Sequence, residues 1–71
     1  MYQAYIGRGV AYANLGNYLQ AIEDFTQAIN LNPTFVLSYY HRGNCYEKIG
    51  ENKKAQADFK KVAELDTTEK N

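Results

Sequence analysis

Ten residues of this 71-residue chain recur, identical, 34 positions further along the sequence. A fixed period of this length marks a repeat architecture. Each unit of such an array is one small supersecondary element that buries its apolar face against a neighbour. We therefore expect two copies of one structural unit. The recurring pairs are Tyr5/Tyr39, Arg8/Arg42, Gly9/Gly43, Tyr12/Tyr46, Gly16/Gly50, Ala21/Ala55, Asp24/Asp58, Phe25/Phe59, Leu31/Leu65 and Thr34/Thr68.

The balance of charges argues against a nucleic-acid or a membrane partner. Eight basic and eight acidic residues cancel, and neither half of the chain has the excess expected of a nucleic-acid or membrane binder. The sequence contains no apolar run of about 18 residues and no signal-peptide pattern. Its single cysteine, Cys45, cannot form an internal disulfide, which favours a reducing, cytoplasmic location. We expect neither a nucleic-acid nor a membrane partner.

Turn signals divide the chain into four segments. Gly16 and Gly50 suit the left-handed conformation that ends a helix. Pro33 disfavours helix in the residue before it and lacks a backbone donor, so it predicts a stop between segments. Thr34 is then placed to cap the next helix with its hydroxyl. The predicted helical segments are about 2–15, 18–31, 35–49 and 52–65.

Apolar residues in each segment recur at spacings of three and four, which predicts amphipathic helices and not strands. Two helices joined by a turn of two or three residues run antiparallel. Glycine inside a helix costs about 1 kcal/mol relative to alanine, yet Gly9 and Gly43 lie mid-helix in both units. Close approach explains this: Gly9 lets the helix that carries Ala21 pack tightly, with Tyr5 near Phe25.

The two units resemble the tetratricopeptide repeat. The motif Tyr5-x-x-Arg8-Gly9-x-x-Tyr12, with Gly16, Ala21, Phe25, Ala28 and Pro33, is similar to one repeat, and its recurrence from Tyr39 to Leu65 is similar to a second. We assign a single domain over 1–71, with repeat 1 at 2–35 and repeat 2 at 36–69. The departures are mild; for example, Tyr5 and Tyr39 stand where the family often has Trp, and Thr67 replaces the closing Pro.

The resemblance implies an all-α fold, an α-solenoid of two antiparallel helix-turn-helix repeats in a right-handed superhelix. It also assigns structural roles to the residues that carry the motif. These residues are Tyr5, Gly9, Tyr12, Ala21, Phe25, Pro33, Tyr39, Gly43, Tyr46, Ala55 and Phe59.

Two charged pairs recur together, Arg8 with Asp24 and Arg42 with Asp58, each 16 residues apart. In an antiparallel hairpin each pair can meet across the helix interface. We interpret both as structural ion pairs; an anion-binding site is the alternative.

The family usually holds ligands on the inner face of the superhelix, lined mainly by the first helix of each repeat. A peptide with one or two apolar anchors would suit the residues there. As an alternative, Ile6 and Val10 pack against an N-terminal neighbour or another chain. The predicted partner-binding residues are Gln3, Ile6, Val10, Ala13, Leu37, Tyr40, His41, Asn44 and Glu47, flanked by Asn14 and Lys48.

Catalytic chemistry finds little support. His41 and Cys45 lie four residues apart on one helical face, but a nucleophile–base pair or a metal site needs further partners that the sequence does not supply. Cys45 aligns with Ala11 and is expected to fill a core gap, with His41 in the groove. We expect no enzyme, no cofactor and no metal. Lys53, Lys54, Lys60 and Lys61 are expected to form a solvated face.

Two repeats leave both ends of the stack uncovered, whereas repeat arrays usually need about three units or a capping helix. The chain is then a fragment of a longer array, a self-associating unit, or one whose second repeat is tailored as an end. Replacement of Ile22 and Ile29 by Gln56 and Ala63 favours the last. Opening the 32–34 connection would allow a domain-swapped dimer.

The leading hypothesis is a non-catalytic protein–protein interaction module that binds a peptide or protein in the concave groove. The alternative hypothesis is a self-assembling scaffold unit that forms homo-oligomers through its open repeat ends.

Overall fold

A computed structural model describes residues 1–66, and all of its regular structure is helical. The helices are α1 (Tyr2–Asn14), α2 (Tyr18–Leu31), α3 (Val36–Lys48) and α4 (Asn52–Asp66). Helices α1 and α2 pack as one hairpin, α3 and α4 as a second, and α2 packs against α3 between them. The predicted all-α fold is confirmed. The predicted end of repeat 2, with Thr67 and Thr68, lies outside the described residues.

Both hairpin turns close in the same way. Gly16 and Gly50 adopt the left-handed conformation, with φ of 83° and 84°, which glycine reaches without a steric penalty. The N–H of Asn17 donates to the carbonyl of Tyr12 at 2.8 Å, and that of Glu51 donates to the carbonyl of Tyr46 at 2.9 Å. These bonds satisfy carbonyls that the end of a helix otherwise leaves unpaired. The glycine prediction is confirmed in both repeats.

The start of α3 differs from the prediction. Phe35, not Thr34, occupies the capping position, and no side chain caps the helix. The Thr34 hydroxyl donates instead to the side-chain oxygen of Asn32 at 3.2 Å. Threonine hydroxyls commonly close such local turns, so the predicted cap was wrong because Thr34 is held by the turn before the helix.

Tight packing within each hairpin centres on a glycine and a phenylalanine. A Cβ added to Gly9 would lie 2.7 Å from Cε1 of Phe25, and a Cβ on Gly43 would lie 2.7 Å from Cε1 of Phe59. Such distances are far below van der Waals contact. The predicted close approach is therefore confirmed, but the atoms nearest to Gly9 belong to the Phe25 ring and not to Ala21.

The predicted ion pairs form in both hairpins with the same geometry. The Nε of Arg8 donates to Oδ2 of Asp24 at 2.9 Å and Nη2 donates to Oδ1 at 2.8 Å. Arg42 repeats both bonds to Asp58 at 2.9 and 2.8 Å. Both carboxylates are almost fully buried. A bidentate arginine–carboxylate pair fixes orientation as well as charge, so each pair locks the register of its hairpin.

The interface between the repeats joins α2 to α3 through an apolar cluster. Its buried members are Ala21, Ile22, Phe25 and Cys45. Cys45 fills the core gap as predicted. Beside this cluster, Nη1 of Arg42 donates to the hydroxyl of Thr26 at 3.1 Å, so one arginine ties its own hairpin to the preceding one.

Candidate protein-binding groove

A groove runs along the side of the molecule where α1 and α3 lie next to each other. Its volume is about 380 Å³, near the lower end for small-ligand sites. Both hairpins contribute to it, so its shape depends on how the repeats stack. Its lining residues are Val10, Ala13, Asn14, Tyr18, Phe25, His41, Asn44, Cys45 and Lys48.

The floor of the groove is apolar and aromatic. The ring of Phe25 is fully buried and stacks on the His41 ring, with centroids 5.5 Å apart and planes 18° from parallel. Val10 and Ala13 pack against the same inter-repeat cluster. The Phe25 ring is thus packed closely against Gly9 and stacked on His41.

Polar groups surround the floor at one end. Asn14 and Lys48 are exposed at the ends of α1 and α3, and Asn44 is half-buried between them and the floor. An asparagine side chain offers both a donor and an acceptor to a peptide backbone. Lys48 is the charged residue among those that line the groove, so this end favours neutral or acidic ligand groups.

Burial shifts the pKa values of His41 and Cys45, the two residues that the sequence marks as candidates for reactive chemistry. Loss of water around His41 lowers its pKa below the ordinary 6.5, so the ring is neutral at pH 7. Burial raises the pKa of the Cys45 thiol above its ordinary value. A reactive cysteine needs the opposite shift and access to solvent. Cys45 is therefore a packing residue.

The nine predicted partner-binding residues fall into three groups. Val10, Ala13, His41 and Asn44 line the groove. Ile6 packs against the inter-repeat cluster nearby. The others are exposed on the same pair of helices, outside the groove itself. These residues are Gln3, Leu37, Tyr40 and Glu47.

Tyr40 lies next to the groove as part of an aromatic chain. Its ring contacts the ring of His41 edge-on at 5.7 Å and that of Phe59 at 6.3 Å. About half of Tyr40 is exposed, as is about half of Leu37. An aromatic ring supported from below but open above is a typical anchor for a partner.

Three lining residues were missed by the sequence reasoning, and one of them, Cys45, was expected only to fill a core gap. Phe25 was assigned a structural role alone, and Tyr18 was not assigned to the site because it begins a second helix. Tyr18 stands directly after the turn at Gly16 and Asn17, and this turn places the first residue of α2 beside the end of α1. The short turn was the signal that could have identified it.

Ile6 and Val10 are both partly buried against the inter-repeat cluster. The alternative, that they pack against an N-terminal neighbour or another chain, stays a prediction. The four lysines of α4 are exposed as predicted.

The part of the chain that the structure describes contains neither a metal-binding cluster nor a membrane-spanning helix. No group of three or more His, Cys, Asp or Glu side chains is placed to hold a metal ion. Among the same residues, no helix combines the length and the apolarity needed to cross a bilayer.

Comparison with known proteins identifies the family. Residues 2–35 and 25–57 each match the tetratricopeptide repeat. The second match starts in α2 and ends in α4, so it covers the α2–α3 packing that joins the hairpins. The chain belongs to the tetratricopeptide repeat family, and the predicted resemblance is confirmed.

Three curated relatives illustrate where such segments occur. The Tetratricopeptide repeat and J domain-containing co-chaperone DNJ1 of Cryptococcus neoformans is 37% identical over 59 residues, 83% of this chain and 11% of the relative. Translocon at the outer membrane of chloroplasts 64 of Pisum sativum is 44% identical over 66 residues, 93% of this chain and 11% of the relative. Serine/threonine-protein phosphatase T of Trypanosoma brucei brucei is 38% identical over 45 residues, 63% of this chain and 10% of the relative.

The chain spans about a tenth of the length of these relatives. Similar segments thus occur in proteins with different names. Family membership and the co-chaperone relative together support a protein–protein interaction module.

Proposed function

We propose that this chain is a non-catalytic module that binds a peptide or an extended protein segment in the groove between α1 and α3. One observation carries the proposal: a closely packed apolar and aromatic floor and a hydrogen-bonding rim form one groove that both repeats build. A groove of this kind combines an apolar anchor site with polar groups that fix orientation.

The lining residues favour a particular ligand chemistry. An apolar side chain of the ligand would lie over Val10, Ala13 and the half-buried His41 ring, and its backbone would bond to Asn44. Lys48 favours an acidic or neutral group at that end of the groove. Tyr40 and Leu37 extend the contact surface beyond the groove.

The non-catalytic part of the proposal rests on His41 and Cys45. The structure shows no hydrogen bond from His41 to an orienting carboxylate among residues 1–66, and Cys45 is buried with a raised pKa. Nucleophilic catalysis requires an accessible nucleophile with an oriented base.

The test starts from a peptide selected from a randomised library on the 71-residue chain. Addition of the peptide should shift the backbone amide resonances of Val10, Ala13 and Asn44. Asn44→Ala and Tyr40→Ala should each weaken binding about five- to tenfold, the equivalent of one lost hydrogen bond or contact of about 1 kcal/mol. Lys53→Ala, on the exposed face of α4, is the matched control. Shifts confined to α4, or equal affinity for the Asn44 variant, would exclude the groove.

Self-assembly through the open repeat ends stays as the second candidate function. Solution mass measured across a dilution series separates the two. A mass that grows with concentration favours assembly, and a constant monomer mass counts against it.

A further inference from the structure

His41 is the residue of the groove whose side chain can gain a charge near neutral pH. It is the only histidine of the chain, and it is half-buried in α3, where it lines the groove with Val10 and Ala13 of α1. Its ring stacks on Phe25 at 5.5 Å and meets the ring of Tyr40 edge-on at 5.7 Å. A ligand side chain over Val10 and Ala13 would therefore cover what remains exposed of the His41 ring.

The lining of the groove offers no opposite charge to a protonated His41. Among residues 1–66, the side chains that line the groove include no carboxylate, and those from α1 are all uncharged. The charged member is Lys48, which stands about two turns further along α3, roughly 10 Å along the helix axis. The other titratable members are Tyr18 and Cys45, and phenols and thiols are not ionised in mildly acidic solution.

The carboxylates of the helices packed around His41 lie outside the groove. Asp24 and Asp58 are each held by two hydrogen bonds from an arginine. Glu23 lines a separate depression on α2, and Glu47 is exposed on α3. Burial lowers the pKa of His41, as expected for an imidazole that loses water without gaining a carboxylate partner.

A ligand that covers the His41 ring makes its protonation still less favourable. An imidazolium beneath an apolar side chain loses more water and gains no compensating bond. The face of the Phe25 ring attracts a cation, but this contact is present with and without the ligand and does not alter the difference between the two states. Ligand binding and protonation of His41 therefore oppose each other, and each weakens the other by the same factor.

We propose that His41 determines the ligand class of the groove: the groove binds an uncharged aliphatic or aromatic side chain while His41 is neutral, and binds it less tightly once His41 has taken up a proton. This inference rests on the proposed function, in which the same ligand side chain lies over Val10 and Ala13. Below the titration midpoint of His41 in the free chain, the affinity falls by up to about tenfold for each pH unit.

The first test measures the titration of His41 with and without a ligand. The probe is a peptide selected on the 71-residue chain from a randomised library that lacks Asp, Glu and His, with both ends capped so that the peptide itself does not titrate between pH 5 and pH 7.5. Because His41 is the only histidine, its Cε1–H resonance is identified without ambiguity. With saturating peptide, its midpoint should lie at least about one pH unit below that of the free chain. An unchanged or higher midpoint overturns the inference.

The second test compares the affinity for the same peptide at pH 7.5 and pH 5.5, with folding at both pH values checked by circular dichroism. The natural chain should lose affinity on acidification, whereas the ratio of the two affinities should stay within about twofold for His41→Gln, which has no group to protonate there. Using the ratio removes any difference in affinity at pH 7.5. Lys53→Ala, on the exposed face of α4, is the matched control and should keep the ratio of the natural chain.

The outcomes separate this inference from the proposed function. Groove binding at pH 7.5, seen as shifts of the Val10 and Ala13 amide resonances, with equal affinity ratios for the natural chain and His41→Gln overturns the inference alone. Absence of groove binding at pH 7.5 overturns the proposed function and the inference with it.

Discussion

The two hairpins share their internal contacts but differ in what surrounds them. Each has a glycine beneath a phenylalanine ring at the same distance and an arginine–aspartate pair with the same bond lengths. Yet Phe25 is fully buried, whereas Phe59 is partly exposed. The recurring residues therefore specify the hairpin. Among the residues that do not recur, Ile22 is buried in the inter-repeat cluster, whereas Gln56 at the equivalent position of α4 is exposed.

The largest expected loss of stability comes from removing the rings of Phe25 and Phe59. Phe25→Ala should cost about 4 kcal/mol of unfolding free energy, because the ring is buried between both repeats. Phe59→Ala should cost less, since Phe59 has solvent on one side. Urea unfolding measures both, with Phe25→Leu as a milder variant if the first does not fold. Equal costs for the two positions would contradict the comparison.

The two arginine–aspartate pairs are expected to differ in how much stability the loss of the carboxylate costs. Asp58→Ala leaves Arg42 without its carboxylate in a mostly buried site, and we expect a loss of about 3 kcal/mol. Asp24→Ala leaves Arg8, which is mostly exposed and can be hydrated, so the loss should be smaller. Denaturant midpoints of the two variants give the order, and a larger loss for Asp24→Ala would refute it.

A smaller effect is expected at Ser38. Its hydroxyl is buried in the inter-repeat contact and has no hydrogen-bond partner among residues 1–66. Ser38→Ala should stabilise the chain by about 1 kcal/mol, because an unsatisfied buried hydroxyl is costly and alanine favours helix. The equivalent exposed position provides the control: Ala4→Ser should change stability by no more than about 0.5 kcal/mol. Thermal unfolding that shows Ser38→Ala to be destabilising would point to a partner for the hydroxyl.

The smallest expected effect is pH dependence from His41. Its pKa is lower in the folded chain than the ordinary 6.5 of the unfolded chain, so the unfolded state binds the proton more tightly. This contribution is complete above pH 6.5 and is lost as the pH falls below it. His41→Gln should therefore lose less stability than the natural chain between pH 7 and pH 5 in urea titrations. Identical pH profiles would contradict a pKa of His41 lowered by burial.

Much of the fold could be predicted because the 34-residue repeat and the glycine and proline turn residues can be read directly from the sequence. Gly16 and Gly50, for example, lie where helices α1 and α3 end, and each adopts the left-handed conformation that glycine favours. The Arg8–Asp24 pairing also followed from a fixed spacing in an antiparallel hairpin. Thr34 was mispredicted because its hydroxyl can bond either to the start of α3 or to Asn32 in the turn before it, and the sequence does not show which bond forms.

The site was less predictable because a groove depends on how two helices pack in space. His41 and Asn44 could be assigned to the groove from their helical face. Tyr18 was missed because site residues were sought mainly on the first helix of each repeat, although the short turn at Gly16 and Asn17 places Tyr18 beside the end of α1. The contact between Gly9 and Phe25 was assigned to Ala21 because spacing places both on the same side of α2 and does not show how far a ring reaches.

The central claim is that glycine opens space for a ring inside each hairpin, and two neighbouring glycines of α1 test it directly. A Cβ on Gly7 would meet nothing within 4 Å, whereas a Cβ on Gly9 would lie 2.7 Å from the buried Phe25 ring. In thermal unfolding, Gly7→Ala should raise the midpoint, because alanine favours helix by about 1 kcal/mol. Gly9→Ala should lower it, because overpacking costs about 1–3 kcal/mol. A midpoint that rises equally in both variants would contradict the account.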